Sequence, residues 1–323
     1  MYDIISIGDT TVDVFLILDD ASVQCDLDKT NCKLCINYAD KIAVKEMAKV
    51  NAVGNAANNA VASSRLGMKT ALVSIVGNDD SGHGIFKILK EEKVNTKFVS
   101  VDHEHGTNYS TVLDYKGERT ILVYHEHRKY HWQKIPASHW LYFTSMGQGH
   151  EAMFPALLDH VKKSKTKMVF NPGTHQLKLG IEKLKPILAG THVLCLNKEE
   201  GVRLAGKITD IKKLMQALRV FGPKIVVVTD GQAGAYAYDG KQAYFCPIFP
   251  APIVERTGCG DAFASGFIGA LYCGKDIPEA MKWGSINAAG VLQHIGAQKG
   301  LQTKRQIMHQ LRNHDEFQVR IIS

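Results

Sequence analysis

Residues 255–261, Glu-Arg-Thr-Gly-Cys-Gly-Asp, combine small residues with one acidic side chain at the start of a predicted helix. Unpaired N–H groups at a helix start lie at the positive end of the helix dipole and can hold an anion such as a transferring phosphoryl group. The same dipole is expected to keep Asp261 ionised, so that it can accept a proton from a hydroxyl nucleophile. The segment predicts phosphoryl transfer to a hydroxyl, with Asp261 as the base and the N–H groups of Gly258, Cys259 and Gly260 as an anion hole. The alternative is an ordinary capped helix.

A second turn of small and polar residues, 53–59, enters an Ala-rich helix predicted at about 56–66. Asn55 and Asn58 lie on neighbouring turns of one helix face. Their amide groups can hydrogen-bond sugar hydroxyls, although Asn at a helix start is also a common cap. The two turns together predict a hydroxyl-bearing acceptor beside a phosphate site.

These two turns strongly resemble the two signatures of the ribokinase-like, or PfkB, carbohydrate kinase family, and the resemblance extends over nearly the whole chain. The family has a Gly-Gly-x-x-x-Asn helix entry and a late Asp-Thr-x-Gly-Ala-Gly-Asp turn. The resemblance implies ATP-dependent phosphorylation of a hydroxyl of a sugar or sugar derivative, with Gly54, Asn55 and Asn58 on the substrate side. A nucleoside kinase of the same fold is the alternative. An inactive sugar- or nucleotide-binding regulator is more remote, because Asp261 is retained.

Other segments agree with this family in the same order along the chain. Asp13 matches the residue that hydrogen-bonds substrate hydroxyls after the first strand. Asn197 and Glu200 match the family's Asn-x-x-Glu and are expected to organise Mg²⁺, through waters, around the ATP phosphates. The resemblance also implies ATP-binding roles for Thr229 and Gly231, in a turn after a strand, and for Asn287, in the helix that flanks adenine.

Four positions depart from the family's pattern: Val53 replaces a Gly, Glu255 an Asp, Arg256 a Thr and Cys259 an Ala. Many members of the family build a monovalent-cation site from carbonyl groups beside this turn. The longer carboxylate of Glu255 and the guanidinium of Arg256 would disturb such a site, so the sequence does not decide whether the protein depends on a monovalent cation. The thiol of Cys259 at a helix start predicts a lowered pKa and high reactivity. The alternative is a small residue tolerated in place of Ala.

Clusters of histidine and cysteine leave several alternatives open. Cys25, Cys32 and Cys35 could join a histidine on Zn²⁺, but the chain has no second Cys-x₂-Cys pair. The segment 125–129, His-Glu-His-Arg-Lys, suits a solvated surface, recognition of a phosphate already on the acceptor, or a metal. Residues 147–152 fit a dinucleotide-binding pattern, but no acidic residue ends the next strand. The chain contains no P-loop.

Hydrophobic periodicity predicts the elements that position these residues. Short apolar runs at 2–8, 69–76, 167–170, 192–196 and 224–229 predict buried parallel strands, with helical patterns between them. Residues 234–247 alternate like a meander, and helices are predicted near 259–273, 278–295 and 303–313. Period-2 alternation at about 12–50 and 97–131 predicts an antiparallel β lid. We therefore predict one α/β kinase domain over 1–323, ribokinase-like, with a mostly parallel sheet covered by helices on both faces and a discontinuous lid.

Composition agrees with this prediction. The chain has 323 residues, of which 45% are apolar and 22% charged, which excludes a disordered or coiled-coil protein. The net charge of +7 suits an anionic small molecule and not a nucleic acid. Seven scattered cysteines, an acidic start and the lack of a long apolar run predict mostly free thiols, a cytoplasmic protein and no membrane partner. The resemblance also allows a homodimer through the exposed edge of the lid.

Overall fold

The computed structural model describes residues 1–26 and 32–322. The strands in chain order are β1 (Tyr2–Ile7), β2 (Thr11–Leu18), β3 (Ser22–Cys25), β4 (Cys32–Cys35), β5 (Val44–Val53), β6 (Thr70–Gly77), β7 (Asn95–Asp102), β8 (Asn108–Tyr115), β9 (Glu118–Tyr124), β10 (Ser138–Phe143), β11 (Lys167–Phe170), β12 (Thr191–Asn197), β13 (Ile225–Thr229), β14 (Ala235–Tyr238), β15 (Ala243–Cys246) and β16 (Arg320–Ile322). The helices are α1 (Asn55–Arg65), α2 (Asp80–Glu91), α3 (Phe154–Ser164), α4 (Thr174–Lys178), α5 (Gly180–Ala189), α6 (Lys198–Ala205), α7 (Ile211–Val220), α8 (Cys259–Tyr272), α9 (Ile277–Leu292) and α10 (Lys304–Asn313).

The large sheet has the strand order β16-β15-β14-β13-β12-β11-β10-β1-β6-β7. In this order, every neighbouring pair from β13 through β12, β11, β10, β1 and β6 to β7 is parallel. The strands β14, β15 and β16 extend the sheet with antiparallel pairs. Because the carboxyl ends of parallel strands meet at one edge, the segments after β1, β10, β11, β12 and β13 lie side by side there. That edge holds most of the predicted site residues.

Helices cover both faces of this sheet, as the sequence predicted. On one face Leu157 of α3, Leu184 of α5 and Leu214 of α7 pack on Leu141 and other buried strand residues. On the opposite face, Phe267 of α8, Trp283 of α9 and Ile307 of α10 pack on Tyr142. Successive residues of one strand thus enter two different cores, which explains why the strands are nearly continuous apolar runs.

A second, four-stranded sheet with the order β5-β2-β8-β9 forms the lid. Its pairs are antiparallel except β2 with β8, which is parallel and differs from the prediction of an antiparallel flap. The strand β7 also differs from its prediction, because it pairs with β6 in the main sheet although the lid was expected from residue 97. Residues 27–31, which the predicted lid includes, lie outside the described residues.

The strands β3 and β4 form a separate hairpin between β2 and β5. Cys25 and Cys32 face each other across it, with Cα atoms 4.1 Å apart, and are joined by a disulfide. This bond was not predicted, because the pairing depends on the register of two short strands. Cys35 is a free thiol, as are the four cysteines outside the hairpin, which confirms the expectation of mostly free thiols. Over the residues described, no helix is long and apolar enough to cross a membrane.

Candidate active site

The predicted anion hole lies at the start of α8. Gly258 precedes the helix in the left-handed region, with φ of 81°, and a Cβ there would collide with Ala297, so only glycine fits this turn. Cys259 begins the helix. A Cβ on Gly260 would meet open space, because its backbone faces a cavity. The N–H group of Gly260 is therefore accessible to a ligand, whereas that of Cys259 donates to the carbonyl of Arg256 at 3.4 Å.

Asp261 lies in the same turn and is 9% exposed. Its Oδ2 accepts a hydrogen bond of 2.8 Å from Nδ2 of Asn58 on α1. Burial raises the pKa of Asp261 to about 6, and the bond from Asn58 opposes that rise. Loss of water therefore outweighs the helix dipole, which was expected to stabilise the carboxylate. A carboxyl group with this pKa is still mostly ionised at pH 7, so it can accept a proton.

Asn58 itself is placed differently from its prediction. Besides its bond to Asp261, its Oδ1 accepts a hydrogen bond of 3.1 Å from Gln298, and Gln298 also donates to the carbonyl of Ala52. Both ends of the Asn58 amide are thus occupied by protein groups. The residue orients the candidate base, and only its second N–H and the second lone pair of Oδ1 remain for the expected contact with a sugar hydroxyl. Gln298 was not singled out in the sequence.

A cavity of about 370 Å³ extends from the start of α8 toward α9 and β13. Asn197, Thr229 and Gly231, all predicted to bind ATP, line it, and most of its remaining wall is apolar. The size suits a nucleotide. Asn287 differs from its prediction: it is fully buried, donates to the carbonyl of Ala262 and accepts from the N–H of Gln302. It therefore holds α8 and α9 together, and its neighbours Ala288 and Ala289 line the cavity instead.

A smaller cavity of about 110 Å³ adjoins this one, since Gly260 lines both. Asn55, Asn197, Glu200 and Asp261 also line it. Nδ2 of Asn55 donates to Oδ1 of Asn171, which directly follows β11. Asn171 was missed in the sequence, although a polar residue directly after a buried strand indicates a position at the ligand-binding edge of the sheet. The small cavity brings the predicted base and the predicted Mg²⁺ residues to one place.

Asn197 and Glu200 cap α6 reciprocally. Oδ1 of Asn197 accepts from the N–H of Glu200, and Oε2 of Glu200 accepts from the N–H of Asn197. Burial raises the pKa of Glu200, and the charge of Asp261 adds to that effect. One carboxylate oxygen of Glu200 remains for a cation, and no cluster of three or more His, Cys, Asp or Glu residues suits a metal in the described parts of the chain. This donor set fits a Mg²⁺ ion that keeps most of its waters.

The predicted acceptor residues lie near the junction of the lid and the main sheet. Gly54 precedes α1 with φ of 96°, and a Cβ there would lie 2.9 Å from the carbonyl oxygen of Asp9. Asp13, on the lid strand β2, is buried, and burial raises its pKa to about 6. A hydrogen bond from Ser110 opposes this rise, and the charge of Glu255 adds to it. Asp13 and the turn before α8 are therefore close enough to interact electrostatically.

The segment 125–129, which follows β9, has residues in two different environments. Arg128 is buried, where it pairs with Asp102 at 2.6 Å and donates to the carbonyl of Gly106. It therefore holds the chain between β7 and β8, through Asp102 at the end of β7 and Gly106 before β8. His125, in contrast, lies 3.5 Å from Oδ2 of Asp9, and its ring contacts that of His175. Asp9, which also accepts from Tyr130 and from the N–H of Gly147, was missed in the sequence.

Cys259 does not behave as the sequence predicted. Burial raises the pKa of its thiol to about 12, and the charges of Glu255 and Asp261 add to that effect against two nearby arginines, Arg119 and Arg256. The prediction of a lowered pKa was wrong, because loss of water around the thiol outweighs the helix start and the two arginines. These two arginines line the large cavity, and Arg119 was missed because it belongs to the lid.

A helix start with a cavity-facing glycine and a buried carboxyl group, at the edge of a parallel sheet beside a smaller β sheet, agrees with the predicted phosphotransferase site of a ribokinase-like fold. The model of the pfkB family carbohydrate kinases matches residues 15–304, and the chain belongs to that family. It is accordingly an ATP-dependent carbohydrate kinase, which phosphorylates a hydroxyl of a sugar or sugar derivative.

The chain resembles several characterised proteins. It is 25% identical over 309 residues to an ATP-dependent 6-phosphofructokinase of Thermoanaerobacterium thermosaccharolyticum, covering 92% of this chain and 89% of that one. A nucleoside kinase of Methanocaldococcus jannaschii superposes with a TM-score of 0.79 at 20% identity, covering 97% of this chain and 99% of that one. A ribokinase of Arabidopsis thaliana, complexed with ribose and ATP, superposes with a TM-score of 0.78 at 20% identity, covering 96% and 99%. These two structures establish the fold.

Proposed function

We propose that the chain transfers the γ-phosphoryl group of ATP, bound in the large cavity, to a primary hydroxyl bound between Asp13, Gly54 and the start of α8. Asp261 takes the hydroxyl proton while the oxygen attacks phosphorus in line. The N–H groups of Gly258, Cys259 and Gly260 stabilise the charge that develops on the phosphoryl oxygens. The observation that carries the proposal is that Gly260 lines both cavities and is followed directly by the buried carboxyl group of Asp261.

Asn197, Thr229 and Gly231 would contact the nucleotide, and Asn197 and Glu200 would hold Mg²⁺ through its waters. The ion would supply charge neutralisation at the phosphates. The described protein groups orient the reactants: the capping pair fixes Glu200, and Asn58 with Gln298 fixes Asp261. Positioning of this kind provides much of the rate in phosphoryl transfer.

The acceptor is best found with an assay that couples ADP release to a panel of sugars, phosphosugars, sugar acids and nucleosides. A nucleoside acceptor needs an apolar or aromatic slot for its base, whereas a sugar acceptor needs only polar contacts. The catalytic turn serves both, so the panel decides between them. If no compound in the panel stimulates ADP release above the rate with water alone, the assignment of the acceptor side is wrong.

The base assignment is tested with Asp261→Asn. This change keeps the shape of the side chain and its proximity to Asn58 but removes proton-accepting capacity. We expect kcat to fall by at least about 10²-fold, the usual scale for a positioned base, while the Kd for nucleotide changes by less than about threefold. A variant that keeps more than half of the wild-type kcat, with chemistry rate-limiting, would show that another group takes the proton.

A further inference from the structure

Two arginines from different parts of the fold reach the phosphate end of the large cavity. Arg119 is on lid strand β9, and Arg256 is in the turn before α8. Both line the cavity together with Cys259 and Gly260. Both charges also act on the Cys259 thiol in the direction that favours thiolate, although burial outweighs them and raises its pKa. Two positive charges are therefore directed at the anion-binding turn.

Each of these arginines lies next to an acidic residue of the other segment. Arg256 pairs with Glu118 of the lid at 2.9 Å, and Nε of Arg119 lies 3.7 Å from Oε1 of Glu255 in the turn. The Glu118 side chain is 71% exposed, and an ion pair in such surroundings contributes only about 0–1 kcal/mol. Arg256 can therefore leave Glu118 at little cost.

Arg119 is still less engaged. The 3.7 Å separation is too long for a hydrogen bond, and Oε1 of Glu255 already accepts from the N–H and hydroxyl of Thr257. Within the described residues the Arg119 guanidinium makes no hydrogen bond, although it carries five donors. A group with unused donors at the wall of a cavity is available to a phosphate, which accepts two parallel N–H bonds from one guanidinium.

We propose that Arg119 and Arg256 bind the terminal phosphate of the nucleotide from two sides, as a clamp that is complete only when the lid lies over the turn before α8. Arg119 is then a lid residue that contacts the transferring group, and nucleotide binding and lid position are coupled. This inference rests on the proposed function, because it requires the nucleotide to occupy the large cavity.

The test compares nucleotides that differ only in phosphate number. Binding of AMP, ADP and the non-hydrolysable β,γ-imido analogue of ATP is measured by calorimetry for wild type, Arg119→Ala and Arg256→Ala. The clamp predicts that each variant loses at least about tenfold in affinity for the imido analogue and less than about twofold for AMP. Arg305→Ala, which removes an exposed arginine on α10, should leave all three affinities unchanged.

A second variant separates a phosphate contact from a structural tie between lid and turn. Glu118→Gln breaks the pair with Arg256 but leaves its guanidinium in place. If Arg256 binds phosphate, affinity for the imido analogue stays within about twofold of wild type. If Glu118→Gln reproduces the loss seen in Arg256→Ala, the pair is only structural and the clamp is overturned.

The remaining outcomes are equally decisive. Equal losses for AMP, ADP and the imido analogue would place the arginines outside the phosphate contacts and overturn the clamp alone. Wild-type protein that binds none of the three nucleotides would overturn the proposed nucleotide site and the clamp with it. Normal binding by wild type and both alanine variants would overturn the clamp and leave the nucleotide site intact.

Discussion

Asp261 and Asp13 are two carboxyl groups whose burial dominates their proton affinity. Burial raises the pKa of each to about 6, against hydrogen bonds from Asn58 and Ser110. Neither bond is strong enough to offset the loss of water. Both groups therefore titrate just below neutral pH, where an ordinary Asp would be fully ionised. The proposed base is thus close to the pKa at which general-base catalysis is efficient.

A pH profile follows from this. Asp261 must be unprotonated to accept the hydroxyl proton, so kcat/KM for the acceptor, which reports the free enzyme, should fall as pH decreases through about 6. The measurement is kcat/KM for the acceptor from pH 5 to 8 at saturating ATP. Asp13→Asn removes the other carboxyl group with a pKa of about 6, so its kcat/KM should be lower throughout but should keep the fall. A kcat/KM that is level down to pH 5 in both proteins, with chemistry rate-limiting, would contradict the assignment of Asp261.

We predict that the thiol of Cys259 reacts slowly with alkylating reagents. Since burial raises its pKa to about 12, almost no thiolate is present at neutral pH. All three of Cys35, Cys259 and Cys273 are partly exposed, so the raised pKa of Cys259 decides the order, and iodoacetamide at pH 7 should label Cys35 and Cys273 first. Peptide mass spectrometry over a time course measures the order, and Cys259→Ala should keep kcat within about twofold. First labelling at Cys259 would mean that the turn opens in solution.

The catalytic turn could be predicted from the sequence because its chemistry depends on neighbours in the chain. Gly258, Cys259, Gly260 and Asp261 are consecutive; Cys259 and Gly260 line the large cavity, and Gly260 and Asp261 line the small one. What could not be predicted depends on distant partners. The carboxylate of Asp261 is held by Asn58, which is 203 positions away, and its pKa depends on how completely the fold excludes water.

At the scale of elements, the parallel strands were predicted well because both of their faces are buried. Most of the edge strand β7 was assigned to the lid because apolar and polar residues alternate from residue 97, which is the pattern of a strand with one exposed face. The helical pattern between β11 and β12 forms two helices, α4 and α5, and the second begins at Gly180 with φ of 77°. The last strand, β16, was missed because three residues are too few to show an alternation of apolar and polar side chains.

The connection between β7 and β8 is held by Arg128, so we predict that Arg128→Ala affects stability and not acceptor choice. The change leaves Asp102 without its guanidinium and the Gly106 carbonyl without that donor. The free energy of unfolding should fall by about 2 kcal/mol or more, measured by denaturant titration. Its exposed neighbour is the control: Lys129→Ala should change it by less than about 0.5 kcal/mol. If the stability is unchanged and the acceptor KM is raised, Arg128 contacts the substrate and the structural role is wrong.

At the scale of the whole molecule, the outer strand of the lid has one free edge. Among the residues that the structure describes, β9 pairs with β8 alone, and all seven residues of β9 are exposed. Ile121, Leu122, Val123 and Tyr124 form a continuous apolar stretch there. A long, exposed, apolar edge strand tends to pair with another chain, and large exposed apolar patches mark interaction sites. A second copy of this chain is the partner we propose.

We therefore predict a homodimer formed through β9. Light scattering of the purified wild type at micromolar concentration should give twice the chain mass of 35.7 kDa. Leu122 and Val123 point to opposite faces of the strand, so the double variant Leu122→Glu and Val123→Glu places a charge on whichever face is covered. It should have the mass of one chain. Val220→Glu, at an apolar residue on α7 that is 83% exposed, is the matched control and should remain dimeric. A wild type with the mass of a single chain would refute the dimer, and a double variant that stays dimeric would place the interface elsewhere.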